Sequence, residues 1–202
     1  MTTASHLVLI GGSAGGLQAI LKFLPLLDIR LKAAMIIVLH RQSHYDSLLT
    51  ELLAVKTHLP VKEAEEKEAL LPGVIYIAPA DYHLLIETDH TLSLDYSEKV
   101  HFSRPSIDVT FISAAAVYGA KLAAALLSGA NTDGVEGLIA VHEAGGTTLV
   151  QDPDTAEVDY MPRQAIQSAT IDRILHAEEM AAFINHFADE DTHQGTVIEN
   201  IS

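Results

Sequence analysis

Three side chains suited to acyl transfer stand at the ends of apolar runs in this sequence. Ser13 sits in Gly11-Gly12-Ser13-Ala14-Gly15-Gly16, directly after the run Leu7 to Ile10. The segment fits Gly-x-Ser-x-Gly, the sharp strand-to-helix turn that presents a serine hydroxyl. Gly12, Ala14, Gly15 and Gly16 are small enough for such a turn, and backbone N–H groups at the start of the Gly15-Gly16 helix would favour a developing oxyanion. A serine hydroxyl becomes a good nucleophile only when a base takes its proton, and His40, at the end of the run Ala34 to Leu39, is of the right type. Asp133, in the turn Ser128 to Gly134 after the run Leu122 to Leu127, is a carboxylate that would orient the imidazole and stabilise its charged form.

Each residue also has a plainer reading. Ser13 could be an N-cap in a glycine-rich packing turn, His40 a strand-end histidine bonded into the core, and Asp133 a helix cap with Glu136 three residues on. Thr132 could cap in its place. His40 and His44 are spaced for a metal, but a third ligand is missing. The Ser13 loop contains neither Gly-x-Gly-x-x-Gly nor Gly-Lys-Ser/Thr, which argues against nucleotide binding.

The elements that must position these groups alternate buried runs with amphipathic stretches, the pattern of an α/β fold. Strands are expected at Leu7–Ile10, Ala34–Leu39, Val74–Ala78, Leu122–Leu127 and Thr147–Gln151, and His83–Ile86 with Leu92–Tyr96 reads as a hairpin. A stripe of Leu17, Ile20, Leu21 and Leu24 marks a helix ending near Pro25. Further helices are expected at Tyr45–Val55, Ser106–Gly119 with Pro105 in its first turn, Val135–Ala144, Arg163–Ser168 and Glu178–Ala188. The charged stretch Lys62 to Glu68 reads as solvated surface, and the polar, acidic residues 189–202 as a frayed tail. In an open parallel sheet the ligand crevice lies beyond the carboxyl ends of the strands, where Ser13, His40 and Asp133 all fall.

Composition narrows the field. The chain has 202 residues, 49% of them hydrophobic and 19% charged, enough for one sizeable core, and no break marks a second domain; one domain over 1–202 with its core at about 5–188 is expected. Twelve basic against 27 acidic residues give a net charge of −15, and the balance stays negative with all eleven histidines protonated. Nucleic acid and anionic membranes are poor partners for such a chain. With no cysteine, thiol catalysis, disulfides and zinc fingers are excluded. No run is long and apolar enough to insert in a membrane, and the N-terminus lacks a basic leader, so a cytoplasmic location is expected.

Several motifs in order resemble the catalytic domain of the CheB-type protein-glutamate methylesterases. They are Ile10 to Gly16, the strand ending in His40, Leu71 to Pro79 followed by Asp81 and His83, Arg104-Pro-Ser-Ile-Asp108, the Ser128 to Gly134 turn, and Met161-Pro-Arg163. The resemblance implies a three-layer α/β/α sandwich with a mostly parallel, doubly wound sheet of about seven strands. It implies a serine esterase without cofactor or metal, hydrolysing γ-glutamyl methyl esters on the cytoplasmic helices of methylated chemoreceptors, with glutamine deamidation as a side activity. Ser13, His40 and Asp133 fall on the family's triad positions. Family members often carry an N-terminal receiver domain; here the first strand starts by residue 7, which leaves a stand-alone homologue or a catalytic portion, with a separate receiver as a partner.

An acidic target would need a local basic rim, for which Arg41, Arg104 and Arg163 are the motif-associated cations. The chain departs from the family at Ala130 and Asn131, where Gly-Met-Gly-x-Asp-Gly is usual, and at Ala14, where threonine is common. Ala130 and Asn131 are therefore candidate substrate-contact positions. A weak regulatory module of the same fold and a generic small-ester hydrolase are the rival readings.

Overall fold

Runs of apolar residues with no polar alternation become strands covered on both faces, and that is how the sheet is built. A computed structural model describes residues 2–41 and 46–188. In chain order its elements are β1 (Leu7–Gly12), α1 (Gly16–Phe23), β2 (Ala34–Leu39), α2 (Asp46–Ala54), β3 (Val61–Glu63), β4 (Ile75–Ile77), β5 (His83–Ile86) and β6 (Leu92–Asp95). Then come α3 (Ile107–Tyr118), β7 (Leu122–Leu126), α4 (Val135–Glu143), β8 (Thr147–Gln151), α5 (Tyr160–Ser168), β9 (Arg173–Leu175) and α6 (Ala177–Phe187). Seven strands form one sheet in the order β3-β4-β2-β1-β7-β8-β9, every pairing parallel, while β5 and β6 form a separate antiparallel hairpin.

Side-chain alternation along the central strands divides the core into two layers. Leu7 and Leu9 of β1, Ile36 and Val38 of β2 and Ala124 of β7 face α3, α4 and α5, whereas Val8, Ile10, Ile37 and Ala125 face α1, α2 and α6. The molecule is thus a three-layer α/β/α sandwich. Strand β7 is small-residued, Leu122-Ala-Ala-Ala-Leu126, and Gly137 of α4 touches α3 so closely that an added Cβ would lie 2.5 Å from Phe111 Cβ. Close packing on that side brings the N-termini of α3 and α4 together beneath the site.

The sequence expectations hold for the interior and fail at the edges. Lys62 and Glu63, at the start of the stretch Lys62 to Glu68 read as solvated surface, belong to edge strand β3, and Arg173–Leu175 at the other edge was not anticipated. Helix α5 starts at Tyr160 rather than Arg163, since Pro162 is tolerated in a first turn that needs no donor there. Pro105 precedes the N-cap Ser106 instead of lying in the first turn of α3. His44, Tyr45 and the expected tail 189–202 lie outside the described residues.

Candidate active site

Ser13, His40 and Asp133 follow β1, β2 and β7, which are neighbours in the sheet. Parallel register brings the strand ends level: the His40 amide donates to Gly12 O (3.2 Å), and the Ser13 amide to Ser128 O (2.9 Å). The chain turns after Ser13 through Gly15, at φ 79°, where a Cβ would fall 2.5 Å from Ser128 Oγ and 2.6 Å from Glu157 Cβ. Glycine is required there by conformation and by space. Ser128 fastens this turn, its hydroxyl donating to Ala14 O (2.7 Å) and accepting from the Val158 amide (2.9 Å). Within the loop, the Gly16 amide is already bonded to Ser13 O (2.9 Å), so it is not the free oxyanion donor the sequence suggested. Among the described residues, the Ala14 and Gly15 amides reach no backbone carbonyl.

The His40 Nε2–H donates to Asp133 Oδ2 at 2.7 Å, with the imidazole only 11% exposed and the carboxylate fully buried. An ionised carboxylate can only accept, so this contact places the ring proton on Nε2 and leaves Nδ1 with its lone pair. Nδ1 faces the Asn131 side-chain amide nitrogen at 3.4 Å. Ser13 and His40 line one cavity, but no hydrogen bond joins their side chains among the described residues.

Asp133 does not cap the helix that follows it. Gly134, at φ 101°, is the N-cap of α4, without a side-chain cap. The Asp133 carboxylate instead accepts from Ser106 Oγ (2.8 Å) and from the amides of Ile107 (2.8 Å) and Asp108 (3.0 Å), at the N-terminus of α3. Asp108, in the first turn of α3, does the reciprocal: its Oδ1 accepts from the Gly134 (2.8 Å) and Gly137 (2.7 Å) amides at the start of α4. Each carboxylate thus meets the positive end of the other's helix. Burial pushes Asp133 up, but its bonds from His40 and from the Asp108 and Ile107 amides outweigh this and hold it below the ordinary carboxylate range. Asp108 goes the other way: burial, aided by the Asp133 charge, pushes it up to about 6.

The cavity, about 300 Å³, is walled by Leu17, Leu39, Leu48, Leu49 and Leu52 and by Arg41. Arg41 is 9% exposed and donates from Nη2 to Glu63 Oε2 (3.0 Å) and Ala78 O (2.9 Å), so the unanticipated edge strand β3 anchors it. The other two candidate rim cations are engaged elsewhere. Arg104 donates to Tyr96 O and Ser97 O (2.6 Å to the latter) and stacks 3.8 Å over the Tyr96 ring. Arg163 pairs with Asp159 (2.6 Å) and Asp154 (3.4 Å) on the surface. Neither lines the cavity. Ala130 is exposed and Asn131 half-buried beside His40. Among the described residues, no group of three metal-type side chains comes together. Sequence reasoning passed over Ser106, Asp108 and Ser128; Ser106 carries an N-cap signal, but nothing local marks its second role as a donor to Asp133.

Fold and site together define a doubly wound α/β domain with a strand-end cavity bearing a hydroxyl and an imidazole, and a buried carboxylate behind the imidazole. The CheB methylesterase family model matches residues 8–184, and the chain belongs to that family. A relative in Leptospira interrogans, provisionally named a protein-glutamate methylesterase/protein-glutamine glutaminase, is 45% identical over 174 residues, covering 86% of this chain and 90% of the relative. One from Carboxydothermus hydrogenoformans, named protein-glutamate methylesterase/protein-glutamine glutaminase 1, is 39% identical over 89% of this chain but only 55% of its own length. The crystal structure of the Thermotoga maritima CheB methylesterase catalytic domain superposes with a TM-score of 0.87 at 33% identity, covering 90% of this chain and 97% of that one.

Proposed function

We propose that the protein is a serine esterase that hydrolyses γ-glutamyl methyl esters on the cytoplasmic helices of methylated chemoreceptors, giving glutamate and methanol. Ser13 Oγ attacks the ester carbonyl while His40 Nδ1 takes its proton, and Asp133 holds the imidazole by Nε2 and stabilises its charge. The Ala14 and Gly15 amides receive the oxyanion. The proton on His40 passes to the departing methoxide, and a water activated by the same nitrogen then frees the glutamate carboxylate. With a glutamine side chain the leaving group is ammonia, which is the deamidase activity in the relatives' names.

The observation carrying this reading is the His40–Asp133 contact at 2.7 Å; His40 and Ser13 line the same cavity, and Nδ1 must exchange its 3.4 Å contact with the Asn131 amide for the Ser13 hydroxyl to act as the base. Arg41 is the candidate cation that lines the cavity, for an acidic receptor segment; like Arg104 and Arg163, it would have to leave its present partners, Glu63 and Ala78 O, to assist. The reading brings with it a cytoplasmic location and regulation by a receiver domain, carried on this protein or another. Among the described residues no helix is long and apolar enough to cross a membrane. The leucine wall favours a second reading, hydrolysis of small soluble alkyl or aryl esters. Methanol release from methylated receptor, measured for wild type and Ser13→Ala, tests the proposal: loss of release in the variant supports it. Undiminished release, or aryl-ester turnover with none from receptor, refutes it.

A further inference from the structure

Asp108 is 4% exposed, and its two oxygens have different surroundings. Oδ1 binds the amides that open α4. Oδ2 is buried without a hydrogen-bond partner among the described residues. His101 Nε2 lies 3.4 Å from it, an ion-pair separation lacking hydrogen-bond alignment, on a side chain 45% exposed to water. An unsatisfied carboxylate oxygen is costly in a protein interior. Its neighbour Asp133 accepts from His40, Ser106 Oγ and the Ile107 and Asp108 amides.

We infer that Asp108 is a positioning residue for the proposed Ser13–His40–Asp133 triad, acting through Asp133 as the inner carboxyl of a chain His101–Asp108–Asp133–His40. The inference rests on the esterase reading for its catalytic consequence; the chain's links are the His101 Nε2–Asp108 Oδ2 approach (3.4 Å), the Asp108 amide donating to Asp133 Oδ1 (3.0 Å) and the His40–Asp133 contact (2.7 Å). Asp108 has two effects. Its bonds to Gly134 and Gly137 fix the start of α4 and hence the turn carrying Asp133. Its charge, when present, adds to that of Asp133 beneath the His40 ring. Two carboxyl groups sharing one buried site do not ionise independently, and their titrations are coupled. With Asp108 pushed up to about 6 by burial, it changes charge close to neutral pH, and the half-exposed His101 leads from it to solvent.

The groups facing this carboxyl are few. Asp133 lies on the β7–α4 turn with His40 behind it on β2, and His101 comes from the segment before α3. From β5, His83 Nδ1 accepts the Ser106 amide at 3.1 Å. Helix α4 contributes only amides, its Glu136 being exposed. Arg104 is turned to the Tyr96 and Ser97 carbonyls.

The test follows the downfield ring N–H proton of His40 by NMR across pH 5 to 8, roughly the range in which Asp108 would titrate, together with kcat and KM for methylated receptor. In wild type this signal should move with pH as Asp108 titrates. Asp108→Asn keeps an acceptor for the α4 amides and loses the charge; it should displace the pH dependence of that signal from the wild-type curve and change the acidic limb of kcat with KM within about twofold. His101→Gln, at a half-exposed position, removes the imidazole 3.4 Å from Asp108 Oδ2, and the pH dependence of the signal should differ from wild type. A wild-type signal already insensitive to pH, or variants that reproduce its movement and its pH–rate profile, would reduce Asp108 to a helix cap. If Asp108→Asn does not fold, the wild-type and His101→Gln pair decides. Wild type without ester hydrolysis would remove the esterase reading, while the proton signal still tests the chain.

Discussion

The two walls of the site are built by different physics. On the α3/α4 side, carboxylates are taken out of water and each given donors from the other's helix, so Asp133 is fixed by four hydrogen bonds, counting that from His40. On the α1/α2 side the wall is leucine, and α2 leaves Leu48 60% and Leu52 38% exposed at the cavity. The first wall resists displacement because any movement strands buried polar groups. The second is a non-directional apolar surface that accepts shape more than chemistry. Under the proposed function, catalysis falls to the first wall and substrate contact to the second.

Removing His40 should have the largest effect. His40→Ala is expected to lower kcat by about a thousandfold or more, with Asp133→Asn similar or somewhat milder, and the double variant His40→Ala/Ser13→Ala hardly worse than either single one. Additive losses in steady-state turnover would break the claim that the polar wall works as a unit.

Gly137→Ala probes the packing beneath that wall. Its Cβ would meet Phe111 Cβ at 2.5 Å, so α3 and α4 must separate, at a cost of about 2 kcal/mol in a urea melt. An unchanged midpoint would show the two helices free to adjust.

The pH dependence of stability comes next. Asp108 binds its proton more tightly folded than unfolded, so its contribution is present at pH 4 and is lost as pH rises to about 6. Asp133, held low, acts oppositely, contributing above the ordinary carboxylate range and losing that contribution as pH falls. Asp108→Asn should therefore gain stability relative to wild type between pH 4 and pH 7, by on the order of 2 kcal/mol, in paired denaturation curves. A constant difference between the curves would contradict the raised Asp108.

Smallest is the effect of the apolar wall on folding. Leu48→Ser should shift stability by under about 0.5 kcal/mol, its side chain being mostly exposed, yet raise KM for receptor severalfold with kcat nearly unchanged. A loss in kcat with constant KM would place Leu48 in the chemistry and erase the division between the walls.

What was readable in the sequence follows from range. β1 and β2 are continuous apolar runs whose burial needs no partner to recognise, and Ser13 carries its turn chemistry in the adjacent glycines. β3 and β9 are three-residue edge strands; Val61–Glu63 carries two charges, and Arg173 and Ile174 are exposed, so neither shows a period. Asp133 looked like a cap for its own helix because local propensity sees only the next turn. It serves α3, 25 to 27 residues earlier in the chain. Asp108 was noticed only as the end of a family-like motif; its role stayed hidden for the same reason, since it is an ordinary first-turn acid until α4 is laid against it.

The central claim is that Ser13 is a nucleophile activated by His40. Labelling with a serine-directed fluorophosphonate, read by peptide mass spectrometry on wild type and folded His40→Ala, tests it most directly. The account predicts an adduct on the Ser13 peptide in wild type, forming at least about a hundredfold more slowly without the base. An unmodified Ser13 in protein that still hydrolyses ester, or equal labelling of both proteins, would contradict it.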